Sequence, residues 1–219
     1  MRGASLDLKR RILDRVGPPS ARVWTPVDFL DLGGRAAIDK ALQRLVADGD
    51  LRRIDRGLYD RPAVNKLTKA PAAPSTQAVI DAIARRDQAR LLVDGMTAAN
   101  DLGLTTAVPA QVVVLTDARL KPVQLGAQQI RFKHAAPSRL YWAGRPAMRV
   151  VQALFWLHDV LPSDRDAILR RLRNLIVHDP QGGAIAADLQ AGLSAMPTWM
   201  QAIARDLVAQ VHEAGAPTL

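Results

Sequence analysis

The chain has 219 residues, enough for one large domain or two small ones, each with a buried core. It contains no cysteine, which excludes disulfides, thiolate metal sites and a cysteine nucleophile. Lysine and arginine outnumber aspartate and glutamate by 30 to 21, and this basic balance favours polyanionic partners such as nucleic acid.

The positive charge is concentrated near the N-terminus. Residues 1–70 contain 15 Lys and Arg against 9 Asp and Glu, whereas the remaining residues contain 15 against 12. No stretch is apolar enough for a membrane span, and the initial sequence MRGASLDLKRR lacks the apolar core of a signal peptide. We therefore expect a cytoplasmic protein whose N-terminal part contacts a polyanion.

Apolar spacing and turn residues predict the first elements. Residues 5–16 repeat apolar side chains at helical spacing, with most basic side chains off that face, so they should form a helix. A GPPS sequence interrupts it, and residues 23–24 suit a short strand. Thr25 and Pro26 are a helix start signal, because a threonine side chain can accept an orphan backbone N–H. A short helix to about residue 32 should follow, with Thr25 among the candidate DNA contacts.

A second helix is expected over residues 35–48. Gly33 and Gly34 supply a turn with unusual backbone freedom. Four apolar residues then recur at helical spacing on one face: Ile38, Leu42, Leu45 and Val46. The other face carries a polar set able to meet phosphates and base edges: Arg35, Asp39, Lys40, Gln43 and Arg44. These features predict a DNA recognition helix.

The polar set divides by chemistry. Gln43 and Arg44 have planar groups suited to bidentate base contacts, whereas Lys40 suits a phosphate. Arg35, in the first turn, suits either. Asp39 would repel phosphate, and we expect it to pair with Arg35 one turn earlier.

A basic hairpin should follow this helix. Gly49 ends the helix, residues 51–54 suit a strand, and a tight turn at residues 55–57 returns the chain through Tyr59. Its arginines are expected to reach the DNA backbone or minor groove, unless one of them braces the hairpin: Arg52, Arg53 and Arg56. Tyr59 should anchor the hairpin to the core. Residues 1–61 are therefore predicted to form a winged helix-turn-helix domain.

Residues 62–75 are rich in proline and alanine and are predicted to form an exposed linker or strap. Residues 76–219 should form a mixed α/β domain with a helical C-terminal part, which gives an α+β fold class overall. The expected helices cover residues 76–86, 96–102, 145–158, 164–177, 184–193 and 198–214, and the expected strands cover residues 90–93, 112–116, 123–125 and 130–134. The helix over residues 145–158 is apolar nearly all round and should be buried. Leu161 and Pro162 should end it.

A second basic set lies in the C-terminal half: Arg131, Lys133, Arg139, Arg145 and Arg149. These residues could equally form an ordinary solvated surface or a patch that binds an acidic partner protein or flanking DNA. The sequence leaves these alternatives open.

Enzymatic activity is not expected. The pairs His158-Asp159 and His178-Asp179 resemble ligands of metal-dependent phosphohydrolases, but neither His134 nor His212 has the spacing of a further ligand. Helix ends are the simpler assignment, since histidine is favourable beside the last carbonyls. The sequence also lacks a phosphate loop and a G-x-S-x-G elbow. We expect no catalytic residue, metal or cofactor.

Three segments carry a resemblance to a known family. The run G-x-R-A-A-I-D-x-A-L-x-R-L-V-x-D-G-x-L-x-R-I-x-R-G-L-Y, over residues 33–59, resembles the N-terminal module of the AbiEi-type antitoxins of bacterial toxin–antitoxin operons. DGMTAANDLGLTTAVPAQVVVLT, over residues 94–116, and FKHAAPSRLYW, over residues 132–142, are similar to a later part of that family.

The resemblance implies a protein that binds its own promoter through the N-terminal domain. The C-terminal domain would counteract a nucleotidyltransferase-like toxin encoded beside it, with or without a stable complex. No recognised motif follows residue 157. The alternative is a free-standing winged-helix regulator whose C-terminal domain senses a ligand or partner.

Overall fold

A computed structural model describes residues 2–64, 69–107 and 110–215. Within those ranges the chain is α+β, as predicted, with eight α-helices and two small sheets. It divides into two compact units. The first unit comprises residues 1–89 with residues 120–130, and the second comprises residues 90–119 with residues 131–219.

The first unit follows the predicted order of elements. Its members are α1 (Arg2–Val16), β1 (Val23–Trp24), a 3₁₀ helix (Pro26–Phe29), α2 (Arg35–Ala47), β2 (Arg52–Asp55), β3 (Leu58–Asp60) and α3 (Thr76–Asp87). The expected helix after Thr25 is wrong in type. Successive backbone bonds there span three residues, from Asp28 N to Thr25 O and from Leu32 N to Phe29 O, so the chain makes a tight 3₁₀ helix and further turns.

The three short strands of the first unit form an antiparallel sheet in the order β1-β3-β2. Trp24 pairs with Tyr59, and Tyr59 also pairs with Arg53 on the other side. Because β3 is the central strand, all three of its residues are buried. The predicted hairpin and the small first strand are therefore confirmed.

The core of the first unit lies between α1, α2 and this sheet. Its largest fully buried members include Ile12, Phe29, Ile38, Leu42 and Leu45. Each such side chain contributes about 1.5–3 kcal/mol by leaving water. Trp24 stacks on Phe29 with ring centroids 5.4 Å apart. Tyr59 belongs to the same cluster, which confirms its anchoring role.

The predicted linker, residues 62–75, folds back on itself where it is described. Val64 forms an isolated antiparallel bridge with Pro71, and Ala72 N donates to Ala63 O over 2.7 Å. Residues 65–68 of the predicted linker lie outside the described residues. The following helix, α3, clusters with the first unit.

A second sheet has the strand order β4-β5-β7-β6. Its strands are β4 (Leu91–Val93), β5 (Gln111–Thr116), β6 (Val123–Leu125) and β7 (Gln128–His134). β4 pairs with β5 and β6 pairs with β7, in both cases antiparallel. All four predicted strands are thus present, with bounds shifted by at most two residues.

The helices of the second unit are α4 (Gly95–Asp101), α5 (Met148–Leu157), α6 (Leu161–His178), α7 (Gly182–Ala191) and α8 (Thr198–Gly215). α4 packs on α5, while α6, α7 and α8 pack on one another. Fully buried leucines at positions 154, 172, 189 and 207 mark the cores of these contacts. None of the helices in the described ranges combines the length and apolarity needed to cross a membrane.

Two expectations in this unit are wrong. Leu161 and Pro162 open α6 instead of ending the preceding helix, since proline in a first turn loses no hydrogen bond. The helix is interrupted only at Asp164, with φ −121° and ψ 16°. α5 is not buried all round, because Phe155 and Trp156 are 44% and 43% exposed. The core covers only one side of this apolar helix.

Candidate nucleic-acid interface

Helix α2 separates its side chains into a buried and an exposed face. Ile38, Ala41, Leu42 and Leu45 are buried, whereas Lys40, Gln43 and Arg44 are exposed. Among the described residues, Lys40 and Gln43 make no side-chain hydrogen bond or ion pair. Both side chains are therefore available to a ligand that approaches this face.

Glycines define both ends of the helix. Gly34 precedes it in extended conformation, and its carbonyl accepts from Ala37 N and Ile38 N at 3.0 and 3.1 Å. Gly49 follows it with φ +81°, a left-handed conformation that other residues adopt only with strain. This confirms Gly49 as the predicted stop. The exposed residues of the first turn include Ala36 and Ala37, so small side chains flank the polar set.

Arg35 and Asp39 form the expected ion pair across one helical turn. Arg35 Nε lies 3.1 and 3.0 Å from the two carboxylate oxygens of Asp39. Both side chains are about half exposed, so solvent screens the pair and it contributes only about 0.3–0.5 kcal/mol. The pair nevertheless balances the charge of Arg35 at the start of the exposed face.

Arg52 is the arginine that braces the hairpin. Its Nε lies 2.9 Å from Asp60 Oδ1 and its Nη2 lies 2.5 Å from Asp60 Oδ2, which is a bidentate pair. The Asp60 side chain is only 4% exposed and the Arg52 side chain 31%. Because this pairing occupies the guanidinium, Arg52 stabilises the hairpin, and we no longer count it among the candidate DNA contacts.

Arg53 and Arg56 remain exposed on the hairpin. Asp55 Oδ1 accepts from Arg56 N at 2.7 Å, and Gly57 completes the turn with φ +69°. Arg53 Nε reaches only the carbonyl of Asp55, at 3.4 Å. These two arginines are therefore the hairpin cations directed at solvent.

Two arginines of α3 hold the hairpin and the 3₁₀ helix, a role that the sequence did not reveal. Arg86 Nη1 donates to the carbonyl of Arg56 over 2.6 Å, at the hairpin tip. Arg85 Nη2 donates to Val23 O over 2.9 Å, and its Nε approaches Asp28 Oδ1 at 3.3 Å. The available signal was a basic pair in the last turn of a predicted helix.

The hairpin and α2 share one electrostatic neighbourhood around Tyr59. Burial raises the pKa of the Tyr59 hydroxyl, Arg53 opposes that rise, and Asp39 and Arg35 act on it as well. The charges of Arg53, on the hairpin, and of Arg35, on α2, are thus close enough to influence the same hydroxyl.

Thr25 does not belong to this surface. It is fully buried, and its backbone N–H and hydroxyl both donate to Asp28 Oδ2, at 2.7 and 2.9 Å. Its role is to start the 3₁₀ helix. Because Thr25 is buried, the prediction that it contacts DNA is wrong.

A family model matches residues 18–176, well over half of the chain. The chain belongs to DUF6088, a family of unknown function. No curated protein and no solved structure matches it. The matched range includes α2, the hairpin and most of α6, so the surface described above lies inside the DUF6088 region.

The second basic set of this DUF6088 chain does not form one uniform patch. Arg145 Nε lies 2.8 Å from Asp188 Oδ1, and the guanidinium stacks over Tyr141 at 4.5 Å. The hydrogen bond to Asp188 raises the pKa of Arg145. Arg149 lies 3.4 Å from Asp101. These two arginines hold elements of the second unit together.

The other three members of the second set, Arg131, Lys133 and Arg139, are exposed. Arg131 and Lys133 lie on β7, and Arg139 lies on the 3₁₀ helix Pro137–Leu140. Their exposure is compatible with both interpretations of the sequence, a solvated surface and a patch for a partner.

The histidine pairs lie at helix ends, as predicted. His158 follows the last residue of α5, with Nδ1 3.2 Å from Asp159 Oδ1. His178 ends α6, with Nδ1 2.7 Å from Asn174 O. No group of three histidine or carboxylate side chains in the described ranges converges as a metal site would require.

Proposed function

We propose that this DUF6088 protein is a DNA-binding antitoxin that represses its own toxin–antitoxin operon. The observation that carries the proposal is the exposed, polar face of α2 beside a basic hairpin. In this proposal residues 1–61 act as a winged helix-turn-helix, with α2 as the recognition helix and β2 and β3 as the wing. The protein has no catalytic role of its own.

The dimensions and chemistry of α2 support this assignment. An α-helix with its side chains is about 10–12 Å across, which fits the B-DNA major groove, about 12 Å wide. Gln43 and Arg44 are the candidates for bidentate base contacts, and Lys40 is a candidate for phosphate. The small side chains of Ala36 and Ala37 permit close approach of the helix start to base edges or thymine methyl groups.

The hairpin supplies the second contact of the proposed interface. Arg53 and Arg56 would neutralise phosphates or enter the minor groove beside the site of α2. Arg52, Arg85 and Arg86 hold this hairpin and are not assigned to DNA. Each phosphate that a cation neutralises releases counterions, so binding should weaken steeply with salt.

The antitoxin half of the proposal is supported by the resemblance to AbiEi-type antitoxins. It assigns the second unit to counteracting a nucleotidyltransferase-like toxin encoded beside this chain. A repressor and an antitoxin joined in one chain would divide the two tasks between the two units.

Two cellular assays test the proposal together. In the first, a reporter is placed behind the promoter of this gene, and the protein should repress it. Arg44→Ala should relieve repression, whereas Arg205→Ala, at an exposed position of α8, should not. In the second, the neighbouring gene is induced, and this protein should rescue growth.

The outcomes separate the two halves. Arg44→Ala should still rescue growth, because α2 is assigned to DNA alone. Repression without rescue would leave a free-standing winged-helix regulator, and rescue without repression would remove the DNA-binding proposal.

A further inference from the structure

Helix α6 borders a groove in the second unit. A cavity of about 450 Å³ lies at its N-terminal half and a cavity of about 750 Å³ lies along its C-terminal half. Ala167 and Arg171 line both cavities, so the two adjoin along α6. The α6 residues that line the two cavities run from Asp164 to His178, which gives the groove a length of about 21 Å. This length suits a peptide segment better than a small molecule.

The N-terminal end of this groove is mainly apolar, although Thr105, Asp164 and Arg171 also line it. Its lining includes Leu104, Trp156, Leu157, Val160 and Ile168. Trp156 and Val160 are each 43% exposed, and the neighbouring Phe155 is 44% exposed. Large apolar side chains exposed together mark interaction sites, and tryptophan is enriched among residues that dominate interface energies.

Close packing fixes the position of Trp156. A Cβ atom added to Gly95, at the start of α4, would lie 2.7 Å from the Cβ of Trp156 and 2.6 Å from the carbonyl oxygen of Gln152. Only glycine lets α4 approach α5 this closely. The aromatic ring is therefore held on a rigid element, as an interface anchor requires.

The C-terminal end of the groove is basic. Arg170 and Arg171 are exposed, and within the described ranges neither forms an ion pair. His178 engages Asn174 O through Nδ1, which leaves Nε2 for a partner. Asp179 also lines this end, but its Oδ1 accepts from Gln181 N at 2.7 Å. Two unpaired guanidinium groups remain to be neutralised.

We propose that this groove binds an acidic amphipathic segment of a partner protein. Apolar side chains of the segment would occupy the end at Trp156 and Val160, and its carboxylates would pair with Arg170 and Arg171. The proposal deepens the proposed function, on which it rests for the assumption that the second unit has a protein partner.

The charges around the groove favour an acidic protein segment over nucleic acid or a second copy of this chain. Nucleic acid would meet carboxylates at the apolar end, since Asp164 lines it and Asp159 and Asp166 are exposed nearby. A second copy of this chain would bring a net charge of +9 towards the same arginines. A segment with apolar residues at one end and carboxylates at the other matches both ends of the groove.

The test selects random peptides of about 16 residues, about 24 Å when helical, displayed on phage against the full-length protein. Enriched peptides should combine an apolar cluster with two or more carboxylates. The most enriched peptide is then synthesised with a fluorescent label and titrated by anisotropy. Enrichment of basic or purely apolar peptides, or no enrichment above an unrelated immobilised protein, would overturn the proposal.

Matched variants locate the binding site. Arg171→Glu and Val160→Ser should each weaken the labelled peptide about tenfold. Arg205→Glu, on α8, and Val177→Ser, which is similarly exposed but lies outside the groove, should change the affinity less than about twofold. Circular dichroism checks that all four variants fold. Equal effects of the groove variants and their controls would contradict the assigned site.

The same variants separate this proposal from the proposed function. Arg171→Glu should abolish rescue from the neighbouring gene while repression of the reporter stays intact. Peptide binding at the groove without repression or rescue would remove the proposed function and leave the groove as a peptide site. Repression and rescue that survive Arg171→Glu and Val160→Ser would remove the groove as the partner site.

Discussion

The exposed face of α2 and the exposed faces of α5 and α6 differ in the side chains they offer. The apolar residues Ile38, Ala41, Leu42 and Leu45 of α2 are buried, and Lys40, Gln43 and Arg44 are exposed. In α5 the exposed side chains include two aromatic ones, Phe155 and Trp156. A polar face gains little by excluding water, but it can hydrogen-bond to base edges and phosphates. Exposed aromatic side chains gain most by contact with another protein. This difference is the basis on which we propose different kinds of partner for the two units.

Arginines in the α2 region also divide into those that hold the fold and those that face solvent. The largest expected effect tests this division. Arg52→Ala removes the cation from the buried carboxylate of Asp60, so the free energy of unfolding should fall by about 2–4 kcal/mol; the third of Arg52 that is exposed reduces the loss below that of a fully buried pair. Urea denaturation measures it.

Arg53→Ala is the matched control for that experiment. Arg53 is exposed on the same strand, so its removal should change the free energy of unfolding by less than about 0.5 kcal/mol. A double variant, Arg52→Ala with Asp60→Asn, should lose less than the sum of its two single variants. Equal losses for Arg52→Ala and Arg53→Ala would show that the two arginines do not differ.

On α2 itself, the comparison predicts separate effects for a base contact and a phosphate contact. Arg44→Ala should lose about 1–3 kcal/mol at one operator base pair, whereas Lys40→Ala should weaken binding to every sequence alike and reduce the salt dependence. Anisotropy titrations on a set of single-base operator variants measure both. Uniform loss for both substitutions would remove the division of roles.

In the second unit, the exposed aromatic face depends on close packing at Gly95. Gly95→Ala would place a Cβ 2.6 Å from the Gln152 carbonyl oxygen, and the resulting overpacking should cost about 1–3 kcal/mol of stability. Gly183→Ala is the control, because an added Cβ there meets nothing within 4 Å. It should be neutral or slightly stabilising in helix α7. Thermal denaturation compares the two variants.

The smallest expected effect concerns acid stability of the second unit. The Arg90 guanidinium and backbone N–H, both bonded to Asp117, lower the pKa of that carboxyl. A lowered folded-state pKa contributes stability above the unfolded value, about 3.9, and that contribution is lost as the pH falls through the folded-state pKa. Asp117→Asn should therefore flatten the decline of stability below about pH 4, as urea titrations at several pH values would measure. An unchanged decline would exclude this pair as a contributor.

Local signals explain what could be predicted from the sequence. The spacing of Ile38, Leu42 and Leu45 and the stop at Gly49 specify α2 without long-range information, and the Arg35–Asp39 pair needs only helical geometry. The hairpin follows from its turn residues in the same way. These are the parts of the candidate surface that the structure reproduces.

Tertiary contacts explain what could not be predicted. The ion pair between Arg52 and Asp60 depends on the register of the hairpin. Thr25 is correctly identified as a start signal, but packing of the surrounding residues buries it. Arg85 reaches Val23, 62 residues earlier in the chain. The exposure of Trp156 depends on where the core of the second unit ends, which an apolar helix does not encode by itself.

The most direct measurement is fluorescence anisotropy of the full-length protein on duplex DNA from upstream of its own gene, against a scrambled duplex, across a salt series. The account predicts a preference of roughly a thousandfold or more, in the range of specific recognition, and loss of most of that preference in Arg44→Ala. Equal and steeply salt-dependent binding to both duplexes would contradict sequence recognition by α2 and leave only a basic surface.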